Sequence, residues 1–114
     1  MDREKNMANE DGVIVIKDDT FEQTIASGVT LIDFWADWCM PCRMQAPIMQ
    51  QLAGELGEKA AIGKMDVDSN PQTPSRFGIT GIPTSILFKD GQEVRRFVGV
   101  QSKQTLAKAL QEQL

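Results

Sequence analysis

The chain has two cysteines, and both stand in Trp38-Cys39-Met40-Pro41-Cys42, where a strand pattern gives way to a helix pattern. The preceding stretch, Thr30 to Ala36 (Thr-Leu-Ile-Asp-Phe-Trp-Ala), is apolar at nearly every position. That is the signature of a strand covered on both faces, as in a parallel or mixed sheet. From Pro41 the period changes: Met44, Ile48, Leu52 and Leu56 recur every four residues, which predicts one stripe of a helix. Pro47 falls inside that helix and predicts a kink. A strand that turns into a helix across a C-x-x-C pair brings two sulfurs within reach of one small disulfide ring. It also puts the first sulfur at the positive end of the helix.

The remaining pattern supplies the rest of an α/β domain. Val13 to Ile16 is a β-branched run and predicts a strand. Asp19-Thr20 with Glu22-Gln23 reads as a helix start and Gly28 as its stop. Ala61 to Val67 predicts a strand. Asn70 as cap with Pro71 at the first helical position predicts a short helix that Gly78 closes. Thr84 to Phe88 and Glu93 to Val98, joined by Asp90-Gly91, predict a hairpin. Ser102 caps a last helix with Leu106, Leu110 and Leu114 on its apolar stripe. The order β-α-β-α-β-α-β-β-α requires parallel early strands and an antiparallel last pair. It describes a central mixed β-sheet flanked by helices. Residues 1–12 read as a flexible lead-in and residues 13–114 as one domain.

Composition narrows the function. A net charge of −4 without a Lys/Arg run disfavours nucleic acid as a partner. No apolar run approaches the roughly 20 residues of a membrane span, and no signal peptide is visible. These features point to the cytoplasm, where a lone close pair of thiols is more often catalytic than stapling. The chain has no histidine, the commonest general base and metal ligand. Two Cys without His give half a zinc site at most, so a metal requires two chains.

An ordinary thiol has a pKa of about 8.5, and only the thiolate attacks a disulfide. The helix start is expected to lower that of Cys39. Cys42, one turn further in, is expected to be less exposed and to resolve the mixed disulfide that Cys39 forms. Pro41 stiffens the loop between the sulfurs. The plainer alternative is two inert core thiols. Asp33 interrupts Leu31-Ile32-Asp33-Phe34-Trp35, so burial should raise its pKa. The helix folds back over the face that Asp33 shares with Trp35, where the carboxyl can lie beneath Cys42 and take its proton. A tolerated carboxylate on a partly wet strand is the alternative. Pro83 cannot donate to a ladder at the start of its strand. On local sequence a trans Ile82-Pro83 bond is expected, since few X-Pro bonds are cis. Trp38, if exposed, offers substrates a flat apolar contact beside the thiol.

Over Val13 to Leu114 the sequence resembles the thioredoxin family. The motifs are Ile32-Asp33-Phe34-Trp35-Ala36, Trp38-Cys39 with Pro41-Cys42, Ala46-Pro47, Gly81-Ile82-Pro83-Thr84, Phe88-Lys89-Asp90-Gly91 and Val98-Gly99. The resemblance implies a thioredoxin fold, with Cys39 as nucleophile, Cys42 as resolving thiol, Asp33 as the buried acid and Lys64 as the lysine near it. It implies a cis bond before Pro83, against the local expectation, and a substrate surface of Trp38, Gly81, Ile82, Pro83 and Gly99. It further implies a monomer without cofactor or metal that reduces protein disulfides and is re-reduced by a flavoenzyme thioredoxin reductase using NADPH. Met40 stands where the family usually has Gly, and Asp37 adds local negative charge. With Pro41 and Lys64, Met40 tunes the redox pair. Two other readings use the same residues: a disulfide oxidant or isomerase with a shifted potential, and a non-catalytic binding module.

Overall fold

The computed structural model describes residues 9–114. Strand β1 (Asn9–Glu10) turns into β2 (Val13–Val15) and is followed by α1 (Phe21–Ile25), β3 (Val29–Trp35) and α2 (Met40–Leu56). After a 3-10 turn (Gly57–Lys59) come β4 (Ala61–Asp66), α3 (Gln72–Arg76), β5 (Thr84–Lys89), β6 (Gln92–Val98) and α4 (Lys103–Gln111). The strands lie in one sheet in the order β1-β2-β4-β3-β5-β6. β2, β4 and β3 run parallel; β5 pairs antiparallel with both β3 and β6. The mixed sheet and every predicted element after residue 12 are therefore present.

The lead-in reading needs correction at its end. Asn9 and Glu10 pair with Ile14 and Val13, across a turn at Asp11-Gly12 in which both residues have positive φ. That geometry suits a two-residue hairpin turn, for which Asp-Gly is a strong signal. No β-branched run precedes this turn, so the local sequence does not mark a strand before it. Residues 1–8 lie outside the described residues.

β3 sits at the centre, with β4 on one edge and β5 on the other. Its residues are buried from Val29 to Phe34 and half-buried at Trp35. One face packs Leu31, Val29, Ile62 and Leu87 against Met49 and Leu52 of α2 and Leu106 and Leu110 of α4. The other packs Ile32, Phe34, Met65, Ile86 and Phe88 against Phe21 and Ile25 of α1. Phe21, Phe77 and Phe88 meet edge to face there, with centroids 5.5 Å apart. Gly63 belongs to this second face, where a Cβ would run into the Ile16 side chain.

Two predicted stripes shift. In α2 the buried residues are Cys42, Gln45, Met49, Leu52 and Ala53, while Met44 is exposed and Ile48 and Leu56 are half-buried. The stripe is displaced because buried Gln45 counts as polar in a hydrophobic pattern. Gln45 exchanges two hydrogen bonds with the Gln101 backbone: Nε2 donates to its carbonyl at 3.1 Å, and its amide donates to Oε1 at 2.8 Å. α2 runs unbroken through Pro47, which lies on its solvent side. Leu114 lies beyond the end of α4 and is exposed.

The start of α3 also differs. Asn70 does not cap the helix; its side chain accepts from the Asp18 amide and donates to the Asp66 carbonyl. The cap comes from far along the chain. Asp18 accepts from the amides of Gln72 and Thr73 and from the Thr73 hydroxyl at 2.6 Å. Burial raises the Asp18 pKa, but these donors outweigh it and hold the carboxyl below its usual value. Loss of a cap of this kind costs about 1 kcal/mol. Asp18→Ala is expected to cost about that much at neutral pH, read from the urea midpoint. Since the folded-state pKa is depressed, the contribution is present above the ordinary carboxylate range. The gap to wild type should therefore close as pH falls through the folded-state value.

Candidate active site

The site is built where β3 ends and α2 begins. Cys39 is the N-cap residue of α2, in extended conformation, with Met40 and Pro41 as the first helical residues. Its amide closes the preceding turn by donating to the Ala36 carbonyl at 3.1 Å. Cys39 and Cys42 are joined as a disulfide, with their Cα atoms 5.3 Å apart. The Cys42 amide donates to Cys39 Sγ at 3.2 Å. A helix N-terminus leaves such amides without intrahelical acceptors, so a sulfur there takes the place of a capping oxygen.

The expected difference in exposure between the two sulfurs is absent in the disulfide form. Cys39 is 4% exposed and Cys42 3%. Both pack with Ala36 against the half-buried Trp35, Val67 and Ile82. Around them the surface is apolar: Trp38, Met40 and Val98 are 68%, 67% and 67% exposed. The Trp38 indole N–H donates to Asp68 Oδ2 at 2.9 Å, which orients the ring. Asp68 comes from the loop after β4, and nothing in its local sequence marked it.

The Ile82-Pro83 bond is cis, as the family resemblance implied and against the local expectation. The Ile82 carbonyl oxygen lies 3.7 Å from Cys39 Sγ. The Gly99 amide donates to the Pro83 carbonyl at 2.8 Å. Gly99 has φ +92, a backbone conformation in which glycine has no steric penalty. Gly81 has no such need: a Cβ there would make an ordinary contact with Val98. Ile82, Pro83, Gly99 and the disulfide are thus neighbours, and Gly81 and Trp38 border the same surface.

Asp33 lies behind the disulfide. It and Cys42 line one cavity of about 190 Å³, together with Trp35, Asp37, Arg43 and Lys64. Asp33 is directly opposite Lys64 on β4 and Ser85 on β5. Burial pushes its pKa up to about 7, against a smaller opposing pull from the Lys64 charge. Lys64 Nζ also sits over the Trp35 ring, 5.4 Å from its centroid. Asp33 Oδ1 and Ser85 Oγ are buried without a hydrogen-bond partner. Ser85 escaped the sequence reading because a serine within an apolar strand gives no signal until the register is known. Among the described residues, no group of three or more His, Cys, Asp or Glu is placed to hold a metal ion. Nor is any helix among them long and apolar enough to cross a membrane.

A disulfide at a helix N-terminus, a cis-proline loop against it and a buried acid behind it define a thiol–disulfide oxidoreductase, a protein that works by dithiol–disulfide exchange. The thioredoxin family model matches residues 12–112. Curated relatives named thioredoxin are similar over 102 residues, covering 90% of this chain and 98% of each relative. Identity is 48% in Staphylococcus haemolyticus, 47% in Staphylococcus saprophyticus and 46% in Staphylococcus aureus. The chain belongs to the thioredoxin family.

The buried acid carries a stability cost with a definite sign. Because the Asp33 pKa is raised on folding, stability is greatest below the ordinary carboxylate value and falls as pH rises to about 7. Asp33→Asn removes the titration. The variant is expected to match wild type near pH 4 and to be more stable at pH 8 by on the order of 3 to 4 kcal/mol. Urea denaturation at the two pH values measures the gap.

Proposed function

We propose that the chain reduces protein disulfides with Cys39 as the attacking sulfur and Cys42 as the resolving one. The observation that carries these roles is the capping of Cys39 Sγ by the Cys42 amide at the N-terminus of the 17-residue α2. That environment favours the thiolate. In the dithiol form, Cys39 thiolate attacks a substrate disulfide and forms a mixed disulfide. The first substrate sulfur leaves as a thiolate and takes a proton from water. Cys42 then gives its proton to the Asp33 carboxylate and attacks Cys39 Sγ. The second substrate sulfur leaves, and the Cys39–Cys42 disulfide remains. Two electrons have passed from the dithiol to the substrate. A pKa of about 7 suits Asp33 to accept a proton near neutral pH.

Substrate docks as an extended segment over Trp38, Gly81, Ile82, Pro83 and Gly99, where exposed apolar surface borders the cis-proline loop. Met40, Pro41 and Lys64 tune the pair. Met40 does so by placing an exposed apolar side chain immediately beside the attacking sulfur, and Lys64 by its charge near Asp33. Re-reduction falls to a thioredoxin reductase, a flavoenzyme using NADPH. The chain works as a cytoplasmic monomer.

Insulin reduction with a dithiol donor tests the roles. Cys39→Ser is expected to lower turnover to the rate of the donor alone. Cys42→Ser is expected to accumulate a stable mixed disulfide visible by mass spectrometry. Retention of full insulin reduction by Cys39→Ser would sink the assignment. Equilibration with glutathione buffers separates a reductase from an oxidant. A reductase lies near −270 mV and a strong oxidant at about −120 mV, and a value near the former is expected.

A further inference from the structure

Two buried polar atoms face one another across the β3–β5 ladder, and neither has a hydrogen-bond partner in the disulfide form. They are Asp33 Oδ1 and Ser85 Oγ, on residues 3% and 0% exposed. Asp33 and Ser85 are direct partners in the antiparallel register. Two residues away, Leu31 and Leu87 are likewise opposed and share the apolar cluster under α2. By strand alternation Asp33 and Ser85 point to that same face. Directly opposed residues hold their Cβ atoms about 4.5–5.5 Å apart, so rotation about Ser85 χ1 can bring the hydroxyl onto the carboxyl. Trp35 Nε1, also unpartnered, is two residues along the same strand and so roughly 7 Å further off.

A buried hydroxyl with no acceptor is rare and costly, and in a native structure it calls for an explanation, a redox or catalytic role among them. We propose that Ser85 is a positioning residue for the proton transfer at Asp33: its hydroxyl donates to the Asp33 carboxylate when that group ionises and turns the other oxygen toward Cys42. The inference rests on the reading of Asp33 as proton acceptor. The Cys42 proton passes to the carboxylate, while Ser85 shares its own proton and keeps it throughout. The other charged or titratable groups lining the cavity are Lys64 on β4, Asp37 in the turn after β3, and Arg43 and Cys42 on α2. From β5, Ser85 sets a neutral hydroxyl opposite Asp33 on the sheet side, outside the cavity lining, and its donation favours the ionised acid.

The test is a carboxyl-carbon NMR titration of Asp33 in the reduced protein, with the pH profile of mixed-disulfide resolution measured beside it. Ser85→Ala removes one oxygen and keeps the packing. It is expected to move the Asp33 midpoint up by about one pH unit and to shift the resolution profile upward by the same amount. Ser85→Thr, which keeps the hydroxyl, is expected to titrate like wild type. If Ser85→Ala leaves the midpoint in place and merely changes the urea midpoint equally at pH 5 and pH 9, the hydroxyl is structural and the proposal is overturned. If the midpoint moves but wild-type resolution shows no dependence on Asp33 ionisation, the hydrogen bond stands and the positioning role falls with the proton-acceptor reading.

Discussion

Strand β3 is the constraint on which the rest of the molecule depends. It is paired on both edges and buried on both faces, so neither its register nor its direction can change without exposing apolar surface. Its far end delivers Cys39 to the first turn of α2. Its fifth residue, Asp33, is held on the face that α2 covers. The disulfide and the buried acid therefore hang from one strand, Asp33 within it and Cys39 at the helix cap just past its end.

The same burial that rigidifies the strand makes Asp33 expensive. A carboxyl group surrounded by Trp35, Cys42 and the apolar stem of Lys64 is taken out of water, with one oxygen unsatisfied. An apolar residue at that position would serve the core better. The fold tolerates the acid because large apolar residues flank it on its own strand and on both neighbours, such as Leu31, Ile62 and Leu87. The local cost falls on a carboxyl whose pKa is raised to about 7, a perturbation that clusters at functional sites.

Much of this was legible in the chain itself. The mostly apolar run at 30–36, the period change at Pro41 and the Asp90-Gly91 turn each name their element by a local rule, and each element is where those rules put it. Asp33 stood out as a charge among apolar neighbours, and the cysteine spacing carried its chemistry. Apart from the short hairpin at Asp11-Gly12, what escaped depends on residues far apart in sequence. Asp18 caps a helix more than fifty residues away, Gln45 is buried because the Gln101 backbone is there to receive it, and Ser85 acquires meaning once β5 is set against β3. The cis bond at Pro83 belongs to the same group, since the local residues favour trans and the family motif alone pointed the other way.

The paired hydrogen bonds between Gln45 and Gln101 have a mechanical consequence. They cross from the second turn of the cysteine-bearing helix to the segment just beyond Gly99, and they are out of reach of solvent at Gln45. Sliding or tilting that helix by an ångström or two would strand a buried amide with nothing to bond. The cysteine-bearing helix and the segment after Gly99 are thereby clasped into one unit, which resists shear between them.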